Sequence, residues 1–282
     1  MQPIRVAQTS GQANEWALVL TAAGIPNAVE ADGSAWVVLA AADDLSRAHA
    51  ALAGYDAERR VEIPPVVEPY PWISGVALGL LLVWLFTLTG RPGPGSRWFE
   101  HGAAAAGRIL SGDLWRAVTA LTLHADAVHV AGNAVATAIL VPPLVQRFGA
   151  GATLVLLLVA GALGNVLAAL THDPRHVAVG FSTATFGAVG ILTALRLVPG
   201  GASTRGKKWT AAVAGVLLLA TLGAAPGADL TAHAFGFVAG LVVGALVGLA
   251  VRRRPPAVVQ WVLGAVAAAV VVGCWWVALP AS

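Results

Sequence analysis

The chain has 282 residues, 57% of them hydrophobic and only 11% charged, with a mean hydropathy of +0.76. Soluble domains carry about a quarter charged residues, so the composition excludes an ordinary water-soluble enzyme and points to the membrane class. The net charge of +3 comes from basic residues scattered between apolar runs, which argues against a nucleic-acid face, and the single cysteine, Cys274, excludes an internal disulfide.

Residues 1–68 hold nine of the fourteen acidic residues and lack the early apolar core of a signal peptide. They are therefore expected to stay on the side of synthesis. The pattern predicts a strand at Ile4–Thr9 and an amphipathic helix at Ala13–Ala23, stopped by Gly24 and Pro26. A hairpin follows, Asn27–Ala31 and Ala35–Ala40 around Asp32-Gly33, and then a second helix at Asp43–Leu52. Residues 1–63 thus read as a small β-α-β-β-α cytoplasmic domain. It contains no catalytic or metal-ligand cluster, so regulation or docking of a cytoplasmic partner is its expected role. Residues 64–71, with four prolines, read as a linker.

Seven apolar stretches follow at the length a bilayer demands, about 20 residues each. They fall at 72–90, 126–146, 151–171, 178–198, 209–225, 229–250 and 256–278, with a long connection, 91–125, between the first two. With a cytoplasmic N-terminus, ten basic residues flank the inner ends, among them Arg147, Arg196, Arg205, Lys207, Lys208 and Arg252 to Arg254. Only Arg91, Arg97, Arg108, Arg116 and Arg175 lie on outer loops. That asymmetry predicts N-terminus in and C-terminus out.

Polar groups inside spans are costly and are candidate functional residues. His129 and Asn133, at i and i+4, share one face of the second span. Gly180-Phe181-Ser182-Thr183 opens the fourth span, and His233 follows Asp229 at the start of the sixth. All three spans run from outside to inside, so these residues lie at similar depth, within roughly 10 Å of the outer interface. Amide cleavage needs a nucleophile, a base within hydrogen-bond reach and donors for the oxyanion. Ser182 supplies the hydroxyl at a helix N-terminus, His233 the base, and His129 and Asn133 the donors. No carboxylate sits at this depth except Asp229 at the margin, so the arrangement reads as a dyad with Phe186 stacked on the imidazole. Gly236, Gly240, Gly244 and Gly248 line one face of the sixth span and permit close approach to the fourth. Asn165, in the third span, has no partner at its level and is expected to serve helix packing.

At these residues the chain resembles the rhomboid family of intramembrane serine proteases. Trp115-Arg116, followed by His124, His129 and Asn133, resembles the family's long first loop and second span. Gly180-Phe181-Ser182 resembles its nucleophile motif, and Ala232-His233-Ala234-Phe235-Gly236 its sixth-span motif. The resemblance implies an all-α polytopic bundle of six spans, residues 72–250, plus a seventh C-terminal span within 251–282. It implies Ser182 as nucleophile, His233 as general base and acid, and His129 and Asn133 as oxyanion donors with Ser182. Gly180, Phe186, Gly236, Trp115 and Arg116 would support them. The implied substrates are transmembrane segments cut near the outer face of the lipid bilayer, in a bacterial inner membrane, with no metal and no cofactor. A movable cap is expected at Ala224–Asp229. The alternative is an inactive relative that binds transmembrane helices, although such proteins lack the serine or histidine present here. Thr183, in place of the family's glycine, is a departure with two expected outcomes: the side chain crowds the site, or its hydroxyl bonds back to its own helix and leaves the serine free.

Overall fold

A computed structural model describes residues 1–33, 35–58, 72–197, 229–251 and 253–279. The expected linker, the fifth span at 209–225, most of the cap at 224–229 and several inner-flank basic residues (Arg205, Lys207, Lys208, Arg252) lie outside the described residues.

The chain divides into two units, Met1–Pro64 and Pro65–Ser282. In the first, strands β1 (Gln2–Ala7), β2 (Asn27–Asp32) and β3 (Ala35–Ala40) form an antiparallel sheet in the order β1-β3-β2. Pro3 is tolerated because β1 is an edge strand. Helix α1 (Ser10–Ala22) starts where the Thr9 hydroxyl accepts the Gln12 N–H, and Gly24 ends it with a positive φ of 69°. Helix α2 (Leu45–Glu58) follows a 3-10 turn. Trp16, Leu20, Val38, Ala48 and Leu52 fill the core between helices and sheet. The second helix runs six residues past its expected end at Leu52, and Tyr55, in that extension, packs on this core while its hydroxyl meets Glu15.

The second unit is helical. Helices α3 (Trp72–Thr89), α7 (Ala127–Phe148), α8 (Ala150–Ala169), α10 (Leu230–Ala250) and α11 (Ala257–Ala278) are each long and apolar enough to cross a membrane. The described part of helix α9 (Ser182–Leu197) has 16 residues, about 24 Å at 1.5 Å per residue. Its start is displaced from 178 to Ser182 because Val177–Ala178 (β5) pairs with Ala104–Ala105 (β4) of the long loop. That loop also carries short helices α4 (Arg97–Gly102), α5 (Ala106–Leu110) and α6 (Arg116–Thr119).

Backbone approach through glycine sets the bundle's packing. A Cβ at Gly236 would overlap the Thr183 carbonyl, one at Gly240 the Gly187 carbonyl, and one at Gly190 the Phe237 carbonyl, so α9 and α10 lie in near-backbone contact. Gly75 and Gly79 do the same for α3 against α7. Helix α11 is pinned at both ends. Gln260 donates to the Phe148 carbonyl at 2.7 Å and accepts the Ala152 N–H at 3.0 Å, while the Trp275 indole donates to Thr122 at 3.1 Å.

Candidate active site

Three helix starts converge at one end of the bundle. The chain enters α9 through Gly180, whose φ of +131° is a region that side-chain-bearing residues rarely adopt. Its N–H donates to the Ala120 carbonyl at 2.9 Å, tying the turn to the long loop. An added Cβ at Gly180 would fall 2.6 Å from Cε1 and Nε2 of His129, so the glycine also makes room for that imidazole beside Ser182.

Helix α10 begins at the Asp229 cap, where the carboxylate accepts the Ala232 N–H at 2.9 Å. His233 therefore sits in the first turn, 6% exposed, with Nε2 2.7 Å from the Ser182 hydroxyl oxygen. Phe186, one turn into α9, lies under the imidazole at a centroid distance of 4.6 Å and a 30° tilt. Ser182, His233 and Phe186 are thus brought together by two helices that touch through glycine.

Helix α7 supplies the opposite wall. Asp126 caps it by accepting the His129 N–H at 2.8 Å, a bond that holds the Asp126 carboxyl below its usual range. Asn133 is 5% exposed, and its Nδ2 has no partner among the described residues. Leaving such a donor unbonded costs about 1–3 kcal/mol, which suits a group kept for a ligand oxygen. The Ser182 N–H, first in its helix, adds one more donor without an intrahelical acceptor.

Trp115 and Arg116 stand apart from this cluster. The Arg116 guanidinium is buried and donates to the Glu100 and Ala103 carbonyls at 3.0 and 3.1 Å, and to Asp113. It holds the long loop in shape. Asn165, expected to lack a partner and to serve helix packing, does have one: it donates to the Ala117 carbonyl of α6 at 2.9 Å and fastens the long loop to α8.

A hydroxyl bonded to an imidazole nitrogen at a helix N-terminus is suited to attack on a carbonyl carbon. The rhomboid domain model matches residues 111–250, which contain all of these groups. The chain belongs to the rhomboid family. Its relatives include RHOMBOID-like protein 7 of Arabidopsis thaliana, 32% identical over 55% of this chain and 50% of that protein. Rhomboid-like protease 3 of Toxoplasma gondii is 38% identical over 33% of this chain and 35% of its own length. Rhomboid protease GluP of Bacillus subtilis is 29% identical over 42% of this chain and 23% of its own. The chain spans half or less of the length of these relatives. With its apolar helices, this rhomboid is an integral membrane protein.

The geometry adds one residue that sequence reasoning gave no role. His124 is fully buried, packs edge-on to His129 at 5.3 Å, and accepts the Phe181 N–H through Nε2 at 3.5 Å. Burial, then the neighbouring His129, pushes its pKa down to about 3, so it stays a neutral acceptor. Its place among His124, His129 and Asn133 was the available signal. The feared crowding by Thr183 is absent. Its methyl lies where a Cβ at Gly164 or Gly236 would go, so glycines on α8 and α10 accommodate it.

Proposed function

We propose that this rhomboid is an intramembrane serine endopeptidase that cuts transmembrane segments of other proteins with a Ser182–His233 dyad. The observation that carries the reading is the 2.7 Å, part-buried hydrogen bond between Ser182 Oγ and His233 Nε2 across the α9–α10 contact. His233 takes the hydroxyl proton as Oγ attacks the scissile carbonyl carbon. The tetrahedral oxyanion is met by His129, the Asn133 amide and the Ser182 N–H. His233 then gives its proton to the leaving amine, and the acyl-enzyme forms. A water, deprotonated by the same imidazole, hydrolyses that ester and restores Ser182. Phe186 packs on the imidazole and helps hold it in place.

The same reading puts the cut near the outer face of a bacterial inner membrane, with the N-terminus cytoplasmic and the C-terminus outside. Residues 1–63 would serve as a cytoplasmic docking domain, joined by 64–71 to a protease core at 72–250, with the seventh span within 251–282. Its support is the excess of basic residues at one end of the spans.

The test is cleavage of a model transmembrane substrate by purified protein in liposomes. Wild type should release two fragments, and Ser182→Ala and His233→Ala should release none while keeping the thermal midpoint of wild type. Undiminished cleavage by Ser182→Ala overturns the dyad.

A further inference from the structure

Outside the dyad, one cluster of titratable side chains draws notice. His172 and His176 project from the turn after α8, and their rings stack at 3.7 Å with an interplanar angle of 14°. His172 Nε2 lies 3.0 Å from one Asp229 carboxylate oxygen, and His176 Nε2 lies 2.7 Å from the other. The three are the only His, Cys, Asp or Glu group among the described residues with ligand-like spacing. Metal ligation fits them poorly. Two nearly parallel rings send their Nε2 lone pairs side by side rather than toward one point, and each nitrogen already faces its own oxygen.

The same carboxylate is the cap of α10. One oxygen accepts the Ala232 N–H, and the Asp229 carbonyl accepts the N–H of His233 itself at 3.0 Å. The histidine turn is in turn fixed to the long loop, since the His176 and Pro174 carbonyls accept the Ala106 and Gly107 N–H groups at 2.9 Å. Backbone bonds therefore tie the long loop to the histidine turn, the two imidazoles of that turn meet the Asp229 carboxylate, and Asp229 holds the first turn of α10 through its carboxylate at Ala232 and its carbonyl at His233. Burial pushes the Asp229 carboxyl up, but the Ala232 N–H and the His176 and His172 rings outweigh it and hold the group below its usual range. It remains an anion at neutral pH, so its hydrogen bonds are charge-assisted.

We propose that Asp229, held by His172 and His176, is a positioning residue that fixes the first turn of α10 and thereby sets His233 against Ser182. This rests on the proposed dyad. A tether loosened by one bond lets the imidazole sample positions out of reach of the hydroxyl, and a displacement of about 1 Å costs about a hundredfold in rate. The loss is therefore expected in kcat rather than in KM.

Two readouts on the full-length protein separate the clamp from the chemistry. Hydrogen–deuterium exchange over residues 230–234 reports the first turn whether or not the protein cleaves anything. Asp229→Ala, and the double variant His172→Ala with His176→Ala, should speed that exchange about tenfold, the loss of a cap and its supports, and leave α7 and α8 unchanged. In liposomes, both variants should lower kcat at least tenfold with KM within twofold of wild type. Asp229→Asn, which keeps the acceptor for Ala232, should recover most of the exchange protection and part of kcat. Unchanged exchange in both loss variants overturns the clamp. So does a fall in cleavage that appears entirely in KM. A wild type that cleaves nothing but shows the exchange response would refute the dyad and leave the clamp standing as a structural device.

Discussion

The two units of this chain bury opposite things. The N-terminal unit hides Leu20, Val38 and Leu52 and keeps its charges at the surface, as a domain in water must. The helical unit exposes Trp84, Val128, Leu246 and Trp261, while Arg116, His124, Asn133, Asn165 and His233 lie inside. Every buried polar side chain among the described residues belongs to the second unit. The difference teaches where to look for chemistry. In lipid, hydrophobicity gives little reason to pack helix on helix, so small residues make the contact and each buried polar group needs a partner or a purpose.

The strongest challenge to that contrast is steric. Gly240→Leu drives a side chain into the Gly187 carbonyl, and the helical unit should lose its cooperative thermal transition in detergent. A retained transition would show that the α9–α10 contact is not what holds the bundle. Next in size is the water-soluble counterpart. Leu20→Ala should destabilise the N-terminal unit by about 3 kcal/mol in denaturant, as a cavity in an ordinary core does, and leave cleavage unchanged.

A third test separates the units by pH. The folded His124 imidazole has its pKa near 3 against 6.5 for an exposed one, so the unfolded chain takes the proton first. Its contribution to stability is full above pH 6.5 and drains away as pH falls toward 3. Thermal midpoints of the helical unit should drop over that window, and His124→Gln should flatten the slope. The smallest shift in stability belongs to Asn133→Leu. Removing a donor that has no partner among the described residues should move stability by less than about 1 kcal/mol while slowing cleavage about a hundredfold. Equal losses in both would make Asn133 a structural group.

Much of this was legible in the chain itself. Apolar runs of bilayer length announce the helices, and Asp32-Gly33 announces the hairpin. Ser182, His129, Asn133 and His233 stand out because polar residues at one depth on three helices are improbable without a shared task. Other features leave no trace in one dimension. The β4–β5 pair uses alanines and a valine that look like any span end, yet with Gly180 it moves the start of α9 to Ser182. Arg116 reads as an outer-loop charge, but besides Asp113 its partners are carbonyls 13 and 16 residues away. Asp229 lies 57 and 53 residues beyond His172 and His176, and only folding brings the two imidazoles to its carboxylate.

The most direct test of the central claim is covalent labelling of the membrane-embedded protein with a fluorophosphonate probe, followed by mapping of the modified residue. The account predicts a single adduct on Ser182, formed at least a hundredfold more slowly in His233→Ala, because the hydroxyl then lacks its base. Labelling at another residue, or at Ser182 with a rate indifferent to His233, would contradict it.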